Sequence, residues 1–109
     1  MRRFASLRRQ ADFARLRRSG RRITTSNLTV YSTGAYPSDP SSLVGITVNK
    51  TIGKAVLRNK LRRRLAAIVH DALAGRRALR LLLVARPAAA SAGFESLRGD
   101  VIAALGNAQ

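Results

Sequence analysis

The sequence predicts one α/β (α+β) domain, a two-layer sandwich in the order α-β-β-β-α-β-α. Three observations carry this. A chain of 109 residues with 46% apolar content suits a single core spanning residues 1–109. Two β-branched stretches, ITTSNLTVYSTG and LVGITVNK, sit between segments with helical spacing. The mostly apolar ALRLLLVAR, stopped by Pro87, supplies a further buried strand before a last amphipathic segment.

Taken in order, residues 1–8 read as a basic N-terminal segment whose charge favours flexibility. QADFARLRRSG predicts a short helix over about 9 to 18, ended by Ser19-Gly20, with Phe13 and Leu16 on one side. The strands at 23 to 34 and 43 to 50 are joined by AYPSDPSS, whose prolines, Asp and serines are turn chemistry, so the two are expected to pair antiparallel. Alternation puts Leu28, Val30, Val44, Ile46 and Val48 on a core face. Thr29, Tyr31, Thr33, Gly45, Thr47 and Asn49 then form a small, polar, open floor.

A helix is expected over 54 to 73. At about 100° per residue Leu57, Leu61, Leu65, Ile68, Val69 and Ala72 share an arc that docks on the sheet. Asn59, Lys60, Arg62, Arg63 and Arg64 point outward, while Arg58 falls at the border of the apolar arc and must snorkel, pair or reach a groove. Gly75 closes this helix. The strand at 78 to 86 follows, and ASAGFESLRGDVIAALG makes a final helix with Phe94, Leu97, Val101 and Leu105 as its stripe.

Charge points to the partner. Lys and Arg number 21 against 5 Asp and Glu, a formal charge of +16, and the stretch GKAVLRNKLRRRL holds six cations and no acid. Like charges at i and i+4 destabilise a helix, so this density calls for a polyanion. Arg outnumbers Lys 18 to 3, and a guanidinium fork matches phosphate better than an ammonium does. The longest apolar run, Leu81 to Ala85, is too short for a bilayer, and MRRFASLRRQ lacks the apolar core of a secretory signal, so a cytoplasmic protein without a membrane partner is expected. Arg76, Arg77, Arg80 and Arg98 read as solvated surface cations.

Catalytic groups are sparse. The five acids are scattered, His70 is single and reads as a helix-surface or core-edge residue, and Cys is absent. No phosphate-cradling glycine loop and no zinc ligand set is present, so neither a catalytic residue nor a protein-bound metal is expected.

At GITVNKTIGKAVLRNKLRRRL the sequence resembles the protein subunit of bacterial ribonuclease P. Lys50, Gly53, Lys54, Ala55, Val56, Arg58, Asn59, Lys60, Arg62 and Arg63 match that family's signature, with Lys60 and Arg62 as conservative exchanges. RRFASLRRQADFARLRRSG, with Asp12, Phe13 and Gly20, resembles the family's N-terminal segment. SNLTVYST resembles the strand carrying Tyr31, and LLLVARPAA the strand that ends in Arg and Pro.

The resemblance implies a left-handed β-α-β crossover around the basic helix, in a domain like the second domain of a small-subunit ribosomal protein, against the usual right-handed rule. It implies two partners, a catalytic RNA that cleaves with bound Mg²⁺ and precursor tRNA with its 5′ leader, and neither a cofactor held by the protein alone nor an obligate protein partner. The RNA-subunit surface implied is Lys50, Lys54, Arg58, Asn59, Lys60, Arg62 and Arg63. The leader cleft implied is Phe13, Arg17, Tyr31, Thr29 and Thr47, with Arg17 standing where many relatives carry a second Phe. A ribosomal or other structural RNA-binding protein fits the composition equally well, and only the ordered motifs disfavour it. A DNA-binding regulator would need a partner helix in a helix-turn-helix pattern, which is missing.

Overall fold

The computed structural model describes residues 3–35 and 41–107. Its elements are β1 (Ala5–Ser6), α1 (Gln10–Ser19), β2 (Arg21–Thr24), β3 (Leu28–Gly34), β4 (Leu43–Thr47), α2 (Ala55–Ala72), β5 (Leu79–Ala85) and α3 (Phe94–Asn107). A 3₁₀ turn at Lys50–Ile52 precedes α2, and another at Pro87–Ser91 follows β5. The order expected from the sequence holds from α1 onward, and β1 precedes it.

The five strands lie in the order β1-β4-β5-β3-β2. One expectation fails here: β3 and β4 do not pair. β5 lies between them, parallel to β4 and antiparallel to β3. Its residues LRLLLVA are buried at every position but Val84, and a strand this apolar belongs at the centre of a sheet with both faces covered. AYPSDPSS therefore carries the chain past β5 rather than closing a hairpin, and residues 36–40 of it lie outside the described residues. The hairpin is β2–β3 instead. It splits the strand expected over 23 to 34, with the Thr25 N–H donating to the Leu28 carbonyl at 2.8 Å across the turn.

The β4–α2–β5 crossover joins two adjacent parallel strands. On one face of the sheet Leu28, Val30, Val44, Leu81 and Leu83 meet α2 through Leu61, Leu65, Ile68 and Val69, and α3 through Leu97, Val101 and Leu105. Each such side chain contributes about 1.5–3 kcal/mol on full burial. Phe94 does not join them: it is 41% exposed at the start of α3, and Ala89 of the preceding 3₁₀ turn fills the core at that end.

The tether of α3 to the hairpin is polar. The Asp100 carboxylate accepts from Thr25 Oγ1 at 2.8 Å and from Asn27 Nδ2 at 2.9 Å, and Asn27 is buried.

Two arginines expected in solvent are structural. Arg80, 1% exposed, donates from its guanidinium to the Ser41 carbonyl, because its place in central β5 leaves no route to water. Arg76 donates to the carbonyls of Ala72 at 3.0 Å and Leu105 at 3.3 Å, joining the ends of α2 and α3.

The N-terminal segment is a strap. Phe4 is buried in the main core, and β1 pairs parallel with β4. The Arg3 N–H donates to His70 Nδ1 at 3.0 Å and the Arg3 guanidinium to the His70 carbonyl at 2.9 Å, which puts the neutral imidazole's proton on Nε2.

Candidate nucleic-acid interface

The face opposite α2 and α3 carries α1. Leu16 of α1, Leu7 beside β1 and Leu82 of β5 form a second, smaller buried cluster, with Phe13 and Tyr31 packed against it. The polar floor expected here is therefore apolar at its centre. Leu82 and Val84 come from β5, which the sequence had not placed between β3 and β4, and the register sets Thr29, Val84 and Thr47 in one row and Tyr31, Leu82 and Gly45 in the next.

Those rows bring the cleft residues together. Thr29, Tyr31 and Thr47 are half-buried on neighbouring rungs, and Phe13, also half-buried, stands over Gly45. A Cβ on Gly45 would lie 2.9 Å from Phe13 Cε1, so glycine is what lets the ring sit this low. Arg17, one turn further along α1, is exposed. Rings at a groove floor and a guanidinium at its rim are what a single strand needs for stacking and phosphate contact.

The basic surface starts where β4 ends. Gly53 has φ 153°, and a Cβ there would meet Leu57 Cδ2 at 2.7 Å, so the sharp entry into α2 requires glycine. Arg58, half-buried, donates from Nε to the Gly53 carbonyl at 3.2 Å, which resolves its place at the border of the apolar arc. Arg62 does not point outward either. It donates to Asn59 Oδ1 at 2.8 Å and to the Val48 carbonyl at 3.3 Å, bracing the β4–α2 connection from the other side.

Lys50, Lys54, Lys60 and Arg63 are exposed along the same stretch, with Val56, 80% exposed, among them. Of the seven residues implied for this surface, two hold the loop, Asn59 supports one of them, and four stand in solvent. The sequence shows charge but not this division, because it depends on which carbonyls lie within reach.

The cleft and the basic surface are continuous. A cavity of about 310 Å³ at the edge of β4 is lined by Leu7, Phe13, Gly45 and Ile46 on one side and by Arg62 and Arg63 on the other. No carboxylate lines it. Among the described residues no group of three His, Cys, Asp or Glu gathers to hold a metal. No helix among them is long and apolar enough to cross a membrane.

The Ribonuclease P family model matches residues 1–109. The chain is 39% identical over 101 residues to the ribonuclease P protein component of Acidothermus cellulolyticus, covering 92% of this chain and 84% of that protein. It is 39% identical over 103 residues to that of Pseudarthrobacter chlorophenolicus, covering 91% and 73%. In fold it is similar to the Staphylococcus aureus RNase P protein, with TM-score 0.84 at 24% identity over 95% of this chain and 94% of that one. The Thermotoga maritima RNase P protein gives TM-score 0.81 at 21% identity, covering 95% and 97%. Sequence match along the whole chain and agreement in fold lead to one conclusion: the chain belongs to the ribonuclease P protein family, as the protein component of that endoribonuclease.

Proposed function

We propose that the chain holds the 5′ leader of precursor tRNA in the cleft between α1 and the sheet while α2 seats on the catalytic RNA, in the cytoplasm. The observation that carries this reading is the continuity of the two surfaces: Phe13 and the cations of α2 meet at one cavity. A leader lying over Tyr31 and Phe13 then emerges beside the same helix that touches the catalytic RNA, which brings the scissile phosphate toward the RNA's active centre. Lys50, Lys54, Lys60 and Arg63 supply phosphate contacts whose strength falls with salt. Arg58, Asn59 and Arg62 keep the loop and helix in the shape that presents them.

Mg²⁺ held by the catalytic RNA would supply Lewis-acid chemistry for such a cleavage. The donor set of this chain does not fit the ion. The interface residues are cations, an amide and hydroxyls, so the metal ligands are assigned to RNA phosphates and the protein contributes binding and placement.

The test is leader removal from precursor tRNA by a bacterial ribonuclease P RNA at low Mg²⁺, with and without this protein. A protein-dependent rise in initial rate, lost in the Arg58→Ala/Lys60→Ala double variant, is expected. No rise with a properly folded RNA would leave a structural RNA-binding protein of the ribosomal kind.

A further inference from the structure

The free edge of β4 carries more information than its length suggests. Period-2 alternation turns the main-chain groups of residues 42, 44, 46 and 48 away from β5, toward β1 and the edge. Three of the four outward carbonyls are occupied. Ser42 accepts from the Ala5 N–H at 3.0 Å, Val44 from the Leu7 N–H at 3.0 Å, and Val48 from Arg62 at 3.3 Å. β1 stops at Ser6, so at Ile46 the strand that would have continued the ladder is absent. Neither the N–H nor the C=O of Ile46 has a partner among the described residues on that side. Ile46 lines the cavity of about 310 Å³ between Phe13 and the two arginines.

We infer that the open edge of β4 at Ile46 is a base-reading site, in which one nucleotide of a bound single strand is held by the main chain. This rests on the RNA-binding role proposed above. The N–H and C=O of one strand residue point the same way, the arrangement by which a hydrogen-bonded strand pair exchanges two bonds. An adjacent donor and acceptor on the Watson–Crick edge of a base, an exocyclic amine beside a ring nitrogen or a carbonyl beside a ring N–H, meets that pair in the same way, and single-stranded RNA presents such edges unpaired.

The rest of the cavity suits the same occupant. Phe13 offers a ring for the base, Leu7 and Ala66 an apolar wall, and Arg63, exposed, a cation for the phosphate. A protein strand could also satisfy Ile46. The cavity's charge disfavours it, since two arginines and no carboxylate line the space.

The test uses the full chain labelled with ¹⁵N and two RNA pentamers of equal length, one with bases and one abasic. With the base-bearing pentamer the Ile46 amide proton should move downfield and its solvent exchange should slow about tenfold, while the abasic pentamer leaves it unchanged. Arg63 should respond to both. Ala66→Phe, which fills the cavity from α2, should weaken the base-bearing pentamer about tenfold relative to the abasic one.

A base-bearing pentamer that binds yet leaves Ile46 as the abasic one does overturns the inference, as does failure of that pentamer to bind at low salt. A change at Ile46 driven by protein concentration alone also overturns it, in favour of pairing between copies. Leader removal with the catalytic RNA is measured separately. Stimulated cleavage with an indifferent Ile46 therefore defeats this site without touching the proposed function, and absent stimulation defeats that function alone.

Discussion

Phe13 rests on Gly45. The ring edge of one lies where the other's Cβ would be, at 2.9 Å from Cε1, and Leu82 Cδ1 closes the same space at 3.3 Å. One absent methyl group thus sets the depth of the cleft between α1 and the sheet. Gly45→Ala should lift the ring at a small cost in stability, since Phe13 is half-buried and can give way while the fully buried Leu82 must shift slightly. Affinity of the holoenzyme for leader-bearing precursor tRNA should fall about fivefold, near 1 kcal/mol, with leaderless tRNA unaffected. Binding titrations with the two RNAs check it, and equal losses on both would detach Gly45 from the leader.

Tyr31→Ala removes the second ring of that floor, two strands away across Leu82. Loss of one stacking aromatic costs about 1–3 kcal/mol per base. The loss should appear only with leaders long enough to reach β3, so a series of leader lengths measured against wild type decides it. A variant indifferent to leader length would move the binding surface elsewhere.

Arg80 and Arg98 should differ sharply. Arg80→Ala leaves a void in central β5 and removes the guanidinium's bond to the Ser41 carbonyl, and should cost about 2–4 kcal/mol in urea unfolding. Among the described residues Arg98 makes an exposed contact to Glu95 at 3.7 Å, so Arg98→Ala should stay within about 0.5 kcal/mol of wild type. Comparable losses would show that burial is not what distinguishes them.

Arg58 and Arg63 test the division of labour along α2. Arg63→Ala should reduce the slope of log affinity for the catalytic RNA against log salt by about one, as loss of a phosphate contact does. Arg58→Ala frees the Gly53 carbonyl and loosens the entry to α2. It should weaken assembly more than Arg98→Ala does while changing the slope less than Arg63→Ala. Identical slopes and affinities for the Arg58 and Arg63 variants would erase the distinction between brace and contact.

Asp100→Ala leaves Asn27 Nδ2 and Thr25 Oγ1 without their carboxylate, and Asn27 is buried. A destabilisation of about 1–3 kcal/mol in urea unfolding is expected. Asp100→Asn, which retains one acceptor, should recover part of it, and no recovery would assign the loss to helix α3 itself rather than to the tether.

Periodicity, breakers and charge by themselves determined the first two helices to within a residue and the third apart from its first turn, the core face of β3 and β4, the polyanionic partner and, through the ordered motifs around Arg58 and Phe13, the family. All are local in the chain, because a helix's apolar arc or a strand's alternation is written in neighbouring residues. Tertiary structure decided what depends on non-local pairing. β5 entered between β3 and β4 because its apolar run gains most at the sheet's centre, and that move made Arg80 a buried residue and turned the polar floor into a cleft with Leu82 at its base. It also decided which cations of α2 brace the loop and which face solvent, since the carbonyls of Val48 and Gly53 come within reach only when the chain has folded.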